Sequence, residues 1–168
     1  MAASTNKKVL VARFDRETLA GFVSSPGGLD PRGEENDALD LLTPAGSVVQ
    51  IPYSEVKAVC FVRDFEGGDT WREHRAFLTR PKSAGLWVRL RFRDGDSLEG
   101  MLANNLLLVE PGGFTVVPPD PTFHNQRIFV PRAALADVQV LGVIGSALRR
   151  RPSKPVDKEK DQLEMFEG

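Results

Sequence analysis

The most regular stretch of the chain is Val88–Val109, which begins V-R-L-R-F-R and turns at D-G. Val88, Leu90 and Phe92 alternate with Arg89, Arg91 and Arg93. This period of two predicts a strand with one apolar and one cationic face. Asp94-Gly95 predicts a two-residue hairpin turn, because glycine supplies the positive φ that such turns need. Leu98, Gly100 and Leu102 continue the return strand. A glycine inside a strand marks a bend or a close backbone approach. A bent second strand lets a short sheet curl into a small barrel.

The same pattern opens the chain. Lys8–Phe14 and Leu19–Val23 predict two strands around the turn Asp15–Thr18, with Gly21 inside the second. Ser24–Ala38 is rich in Gly, Pro, Ser, Asp and Glu and predicts a long loop. Leu39–Leu42, Ser47–Ile51 and Val56–Val62 predict three more strands, the last two separated by the turn Pro52-Tyr53-Ser54-Glu55. Leu19, Gly21, Pro52, Val56, Val59 and Phe61 recur at one constant spacing as Leu98, Gly100, Pro131, Leu135, Val138 and Val140. Phe14 aligns with Phe92 at a spacing one residue shorter. This is an internal repeat. It predicts an all-β protein of two tandem five-stranded barrels, at 8–63 and 86–142.

Between the units, Thr70-Trp71-Arg72-Glu73 has a helix capping-box pattern. A short helix over 70–79 is expected, within a linker at 64–85. Residues 143–168 form a tail. From Arg149 to Asp161 it is almost entirely charged residues and proline, which predicts disorder.

The apolar fraction of 41% suffices for a core, and the net charge of -1 argues against a surface shaped throughout for nucleic acid. The single cysteine, Cys60, lies in an apolar run and is expected to be a small buried hydrophobe. No apolar run reaches spanning length and no signal-peptide core is present, so a soluble cytoplasmic protein is expected.

Catalytic chemistry finds little support. His74 and His124 lack metal-ligand spacing, and no phosphate loop or serine-nucleophile motif is present. Gly67-Gly68 and Gly112-Gly113 read as turn glycines. No catalytic residue, metal or cofactor is predicted. Arg89, Arg91 and Arg93, with Arg13 and Arg127, could form a phosphate-binding surface; the alternative is a solvated strand face neutralised by Asp94, Asp96 and Glu99. The proline-stiffened loop Pro118–Arg127 would present Phe123, His124 and Asn125.

Three resemblances add to this. Leu98-Glu-Gly-Met-Leu-Ala-Asn-Asn-Leu-Leu-Leu resembles the first half of the Sm-like motif. That resemblance implies small SH3-like barrels and, at Asn105, an RNA contact. The segments Phe61–Gly67, Arg91–Gly100 and Gly113–Val130 are similar to those of an uncharacterised bacterial family, which implies a bacterial cytoplasmic protein and no known activity. Gln162-Leu163-Glu164-Met165-Phe166 resembles the Q-L-x-L-F peptide with which bacterial replication and repair proteins dock on the sliding clamp. The resemblance implies that Gln162 hydrogen-bonds at one subsite while Leu163, Met165 and Phe166 fill an apolar pocket.

The leading expectation is therefore a non-catalytic interaction module whose terminal peptide docks on a protein partner, with the sliding clamp as the candidate. The alternative is a nucleic-acid-binding protein using Arg89, Arg91, Arg93, Asn105 and Arg127.

Overall fold

The computed structural model describes residues 6–24, 38–66, 75–105, 112–119 and 125–145. The chain is all-β and antiparallel among these residues. The strands are β1 (Asn6–Arg13), β2 (Thr18–Ser24), β3 (Ala38–Leu42), β4 (Val48–Pro52) and β5 (Val56–Val62) in the first half. The second half has β6 (Gly85–Phe92), β7 (Ser97–Leu102), β8 (Gly113–Val116), β9 (Asn125–Pro131) and β10 (Leu135–Ile144), with one 3-10 turn at Arg132–Ala134. No helix of the described residues is long and apolar enough to cross a membrane.

The strands form two open sheets, not two closed and separate barrels. One sheet runs β4-β3-β2-β1-β5-β9-β8 and the other β10-β6-β7. Among the described residues a single bridge, Met101 to Val117, links β7 to the end of β8. The expected boundary near residue 63 therefore does not divide the hydrogen bonding, because β9 joins β5.

The reason lies in the two faces of β1 and β5. One core gathers Val9, Val11, Val23, Leu39, Leu41, Ile51, Val56 and Val59, and Phe129 of β9 is buried among them. A second core gathers Val88, Leu90, Phe92, Leu98, Val116, Ile128 and Val130, together with Leu10, Ala58, Cys60 and Val62. β1 and β5 are thus apolar on both faces, as strands between two layers must be. Cys60 is buried, as its apolar setting predicted.

The repeat is visible in the pairing register. Val9 pairs with Gly21 and Val88 with Gly100. One residue past each glycine the second strand, still paired with the first, also meets the third through one residue pair, Phe22–Leu42 or Met101–Val117. A Cβ on Gly21 would stand 2.6 Å from the Leu42 carbonyl oxygen, and one on Gly100 2.8 Å from Val116 Cβ. In the closing strands Arg13–Val56 and Ala12–Ala58 recur as Phe92–Leu135 and Arg91–Asp137, each with the same bulge. Phe14 therefore corresponds to Arg93, not to Phe92. The two hairpin turns have equal length, with Arg16 at φ 72° where the second turn has Gly95 at φ 95°.

The helix expected over 70–79 lies partly outside the described residues. Its described part, 75–79, is irregular and non-helical. There the Arg75 carbonyl accepts a hydrogen bond from the Glu99 N–H at 2.7 Å, so the linker docks along β7.

Candidate functional site

The two hairpin turns face each other across a cleft of about 520 Å3 lined by residues that include Arg13, Phe14, Arg16, Glu17, Lys57, Arg75, Asp94 and Asp96. Each turn is shaped by its aspartate. Asp15 Oδ1 accepts from the Glu17 N–H at 2.9 Å, and Asp94 Oδ1 accepts from the Asp96 N–H at 3.2 Å. Such Asx turns let a short polar side chain stand in for a backbone acceptor.

Lys57 is the centre of the cleft. It is the extra residue of the β5 bulge, between the paired Val56 and Ala58. Its side chain is 7% exposed and donates to Asp94 Oδ2 and Asp96 Oδ2, each at 2.5 Å. The ammonium also lies 5.3 Å from the ring centroid of Phe92 and 5.8 Å from that of Phe14. A buried cation needs such compensation, since desolvation opposes the charged form. Arg75 reaches Asp96 at 3.5 Å. Arg13 meets Glu55 at 2.5 Å, and Asp15 and Glu17 at 3.3 Å each. Arg13, Lys57 and Arg75 are therefore already matched by the chain's own carboxylates. The network clamps the first turn and β5 to the second turn.

A second polar centre forms at Glu99, which is buried on β7. Oε2 accepts from the Phe77 N–H at 3.0 Å and the Trp87 indole at 3.3 Å, and Oε1 accepts from Arg89 at 3.0 Å. Burial pushes this carboxyl up, but the Phe77, Arg89 and Trp87 hydrogen bonds and the Arg89 charge outweigh it and hold the group below its ordinary range. Phe77 and Trp87 pack edge to face at 6.1 Å.

The predicted cationic stripe is thus only partly free. Arg89 is paired with Glu99 as the sequence suggested, but Asp94 and Asp96 serve Lys57 instead. Arg93 stacks over Phe14 and donates to the Ser54 carbonyl. Arg91 and Arg127 are exposed, on β6 and β9, and Asn105 is exposed after β7. The structure does not gather these residues into one pocket. Asn125–Arg127, expected in a loop, begin β9. Gln162, Leu163, Met165 and Phe166 lie outside the described residues, as do His74, Phe123 and His124. Among the described residues no group of three His, Cys, Asp or Glu side chains is placed to hold a metal ion.

Sequence reasoning missed Lys57. Lys57 stands inside V-K-A-V-C-F-V, which the sequence assigns to a strand with no role for the lysine. The available signal was that Lys57 is the one charge in the otherwise apolar run Val56–Val62, whose apolar residues fall on both faces of the strand.

The model of a family of unknown function, DUF6982, matches residues 5–142, and the chain belongs to that family. No curated protein and no solved structure matches it.

Proposed function

We propose that this protein is a non-catalytic interaction module of the bacterial cytoplasm, whose C-terminal peptide docks on the sliding clamp. One observation carries this reading: Gln162-Leu163-Glu164-Met165-Phe166 keeps the glutamine, the first leucine and the terminal aromatic of the clamp peptide, with Met165 in place of the second leucine as a near-isosteric apolar swap. The setting supports it. The peptide stands beyond residue 142, where the family match ends. The polar segment Arg149–Asp161 precedes it, and as a coil it would span about 20 Å, enough to reach a groove on a partner.

The β body is the scaffold in this reading. We take it as two diverged copies of one five-stranded, SH3-like unit of Sm-like kind. The recurring register of hairpin, bulge and closing strand supports that descent. Binding of nucleic acid ranks second, because Arg89 and Arg93 are committed to Glu99, Phe14 and Ser54.

The test is an anisotropy titration of a labelled 149–168 peptide, and of the full chain, with a bacterial sliding clamp. Phe166→Ala and Leu163→Ala should each weaken binding at least about tenfold, since apolar anchors carry most of a short peptide's affinity. The melting temperature of the full chain should not move. No binding by the full chain, or a Phe166→Ala variant that binds as well but melts lower, would replace the docking peptide with a structural latch.

A further inference from the structure

We propose that copies of this protein associate head to tail, with β10 of one copy pairing antiparallel with β4 of the next. The template is already inside the chain. β5 pairs with β9 through Val59–Phe129, Cys60–Ile128 and Phe61–Arg127. The repeat gives each of these strands a counterpart. β10 lies against β6 in the register that β5 holds against β1. β4 lies against β3 as β9 lies against β8, with Ala38–Pro52 and Leu39–Ile51 matching Gly113–Pro131 and Phe114–Val130. Each half therefore presents one closing edge and one receiving edge. Within the chain the closing edge of the first half meets the receiving edge of the second. Among the described residues β10 and β4 are left over.

These two strands are also the free ends of the sheets. β4 ends the seven-stranded sheet and β10 the three-stranded one, whereas the other ends, β8 and β7, lie next to the bridge that joins the sheets. Of the seven large apolar side chains exposed among the described residues, five sit on these two edges, with Val48 64% exposed, Val49 38%, Val138 36%, Val140 58% and Val143 57%; the other two are Leu78 and Val117. Edge strands of monomers are normally blunted by charge, proline or cover. Pro52 ends β4 and Asp137 stands near the start of β10, but the stretches between them that would pair, Val48–Ile51 and Val138–Ile144, contain neither a charge nor a proline.

Carrying the internal register across places Val138 opposite Gln50, Gln139 opposite Val49 and Val140 opposite Val48. The pair Val48–Val140 takes the place that Arg127–Phe61 holds inside the chain, and is wholly apolar. The two edges differ, so the contact is heterologous and one copy can engage two neighbours. The inference does not rest on the terminal peptide.

The test uses the full chain in light scattering after size exclusion, loaded at up to millimolar concentration. The wild-type chain should run at a multiple of its 18.5 kDa mass. Val48→Lys and Val140→Lys, both on exposed positions, should each run as monomers with unchanged melting temperature. An equimolar mixture of the two variants retains one intact pair of edges, β10 of the first with β4 of the second. It should give a species of twice the chain mass and nothing larger. A monomeric wild-type chain, an oligomer that survives either substitution, or a mixture that stays monomeric would overturn the proposal.

Discussion

The guanidinium of Arg93 lies 4.0 Å from the centre of the Phe14 ring, and these two residues occupy the same place in the two halves. The Phe14 N–H donates to the Glu55 carbonyl at 3.1 Å, and the Arg93 N–H donates to the Ala134 carbonyl at 3.0 Å. The repeat has thus been differentiated at one position into a ring and a cation that stack on each other. Arg93 also donates to the Ser54 carbonyl.

Arg93→Ala should lower stability by about 1 kcal/mol, the worth of an exposed cation–π contact plus a surface hydrogen bond. Arg93→Lys should recover only part of the loss, because an ammonium cannot lie flat on the ring and reach Ser54 together. Urea unfolding of the three chains measures both effects.

Lys57→Ala should cost more, roughly 2–3 kcal/mol. It removes the stem packed in the bulge and leaves Asp94 and Asp96 facing each other. The loss stays below that of a fully buried pair because the two aspartates remain 35% and 42% exposed and can rehydrate. Lys57→Met keeps the stem and should be milder. Replacing both aspartates by Asn should be at least as damaging as Lys57→Ala, since a nine-tenths buried ammonium then loses both counter-charges. Thermal melts of the three variants rank these outcomes.

Gly21→Ala and Gly100→Ala should both destabilise, and Gly21→Ala the more. The added carbon at 21 meets a backbone carbonyl oxygen at 2.6 Å, whereas at 100 the nearest atom belongs to a valine side chain at 2.8 Å. Val116 Cβ is tied to its own backbone and gives little relief, so the ordering rests on the tighter approach at 21, where two Leu41 side-chain carbons also stand at 2.7 Å. The expected losses fall in the range of about 1–3 kcal/mol seen for overpacking. A smaller loss at 21 than at 100 would contradict this ordering.

These glycines were legible in the sequence because an isolated glycine in a strand has few other uses. The pairing of Phe14 with Phe92 was not. Chemical likeness suggested it, but the backbone keeps the turns equal in length and places Arg13, not Phe14, opposite Phe92 in the repeat. The shared core was written in the continuous apolar runs of Lys8–Phe14 and Val56–Val62, which lack the one-sided alternation of Val88–Phe92. Reading all three as the same kind of strand hid that β1 and β5 are covered twice. Position 129 carried no local mark that its side chain would enter the other half's core.

The Glu99 centre predicts a pH dependence. Its carboxyl is held below the ordinary 4.5 in the folded chain, so ionised Glu99 contributes stability that is fully present above that value. The contribution is lost as pH falls through 4.5 and on through the lower folded value. Glu99→Gln should therefore be less stable than the wild-type chain at pH 7, and the gap should close as pH drops toward 3. Urea midpoints of both chains across this range check the sign. A gap constant with pH would mean that packing, not charge, sets the role of Glu99.

Phe129 also imposes an order of events. A nascent chain that has reached Val62 possesses all the strands of the first half, yet neither the ring that fills their core nor the strand that closes β5. Both arrive 67 residues later on β9. The first half must therefore wait, partly built, for the second. A break introduced in the linker should leave two fragments that regain structure only in each other's presence.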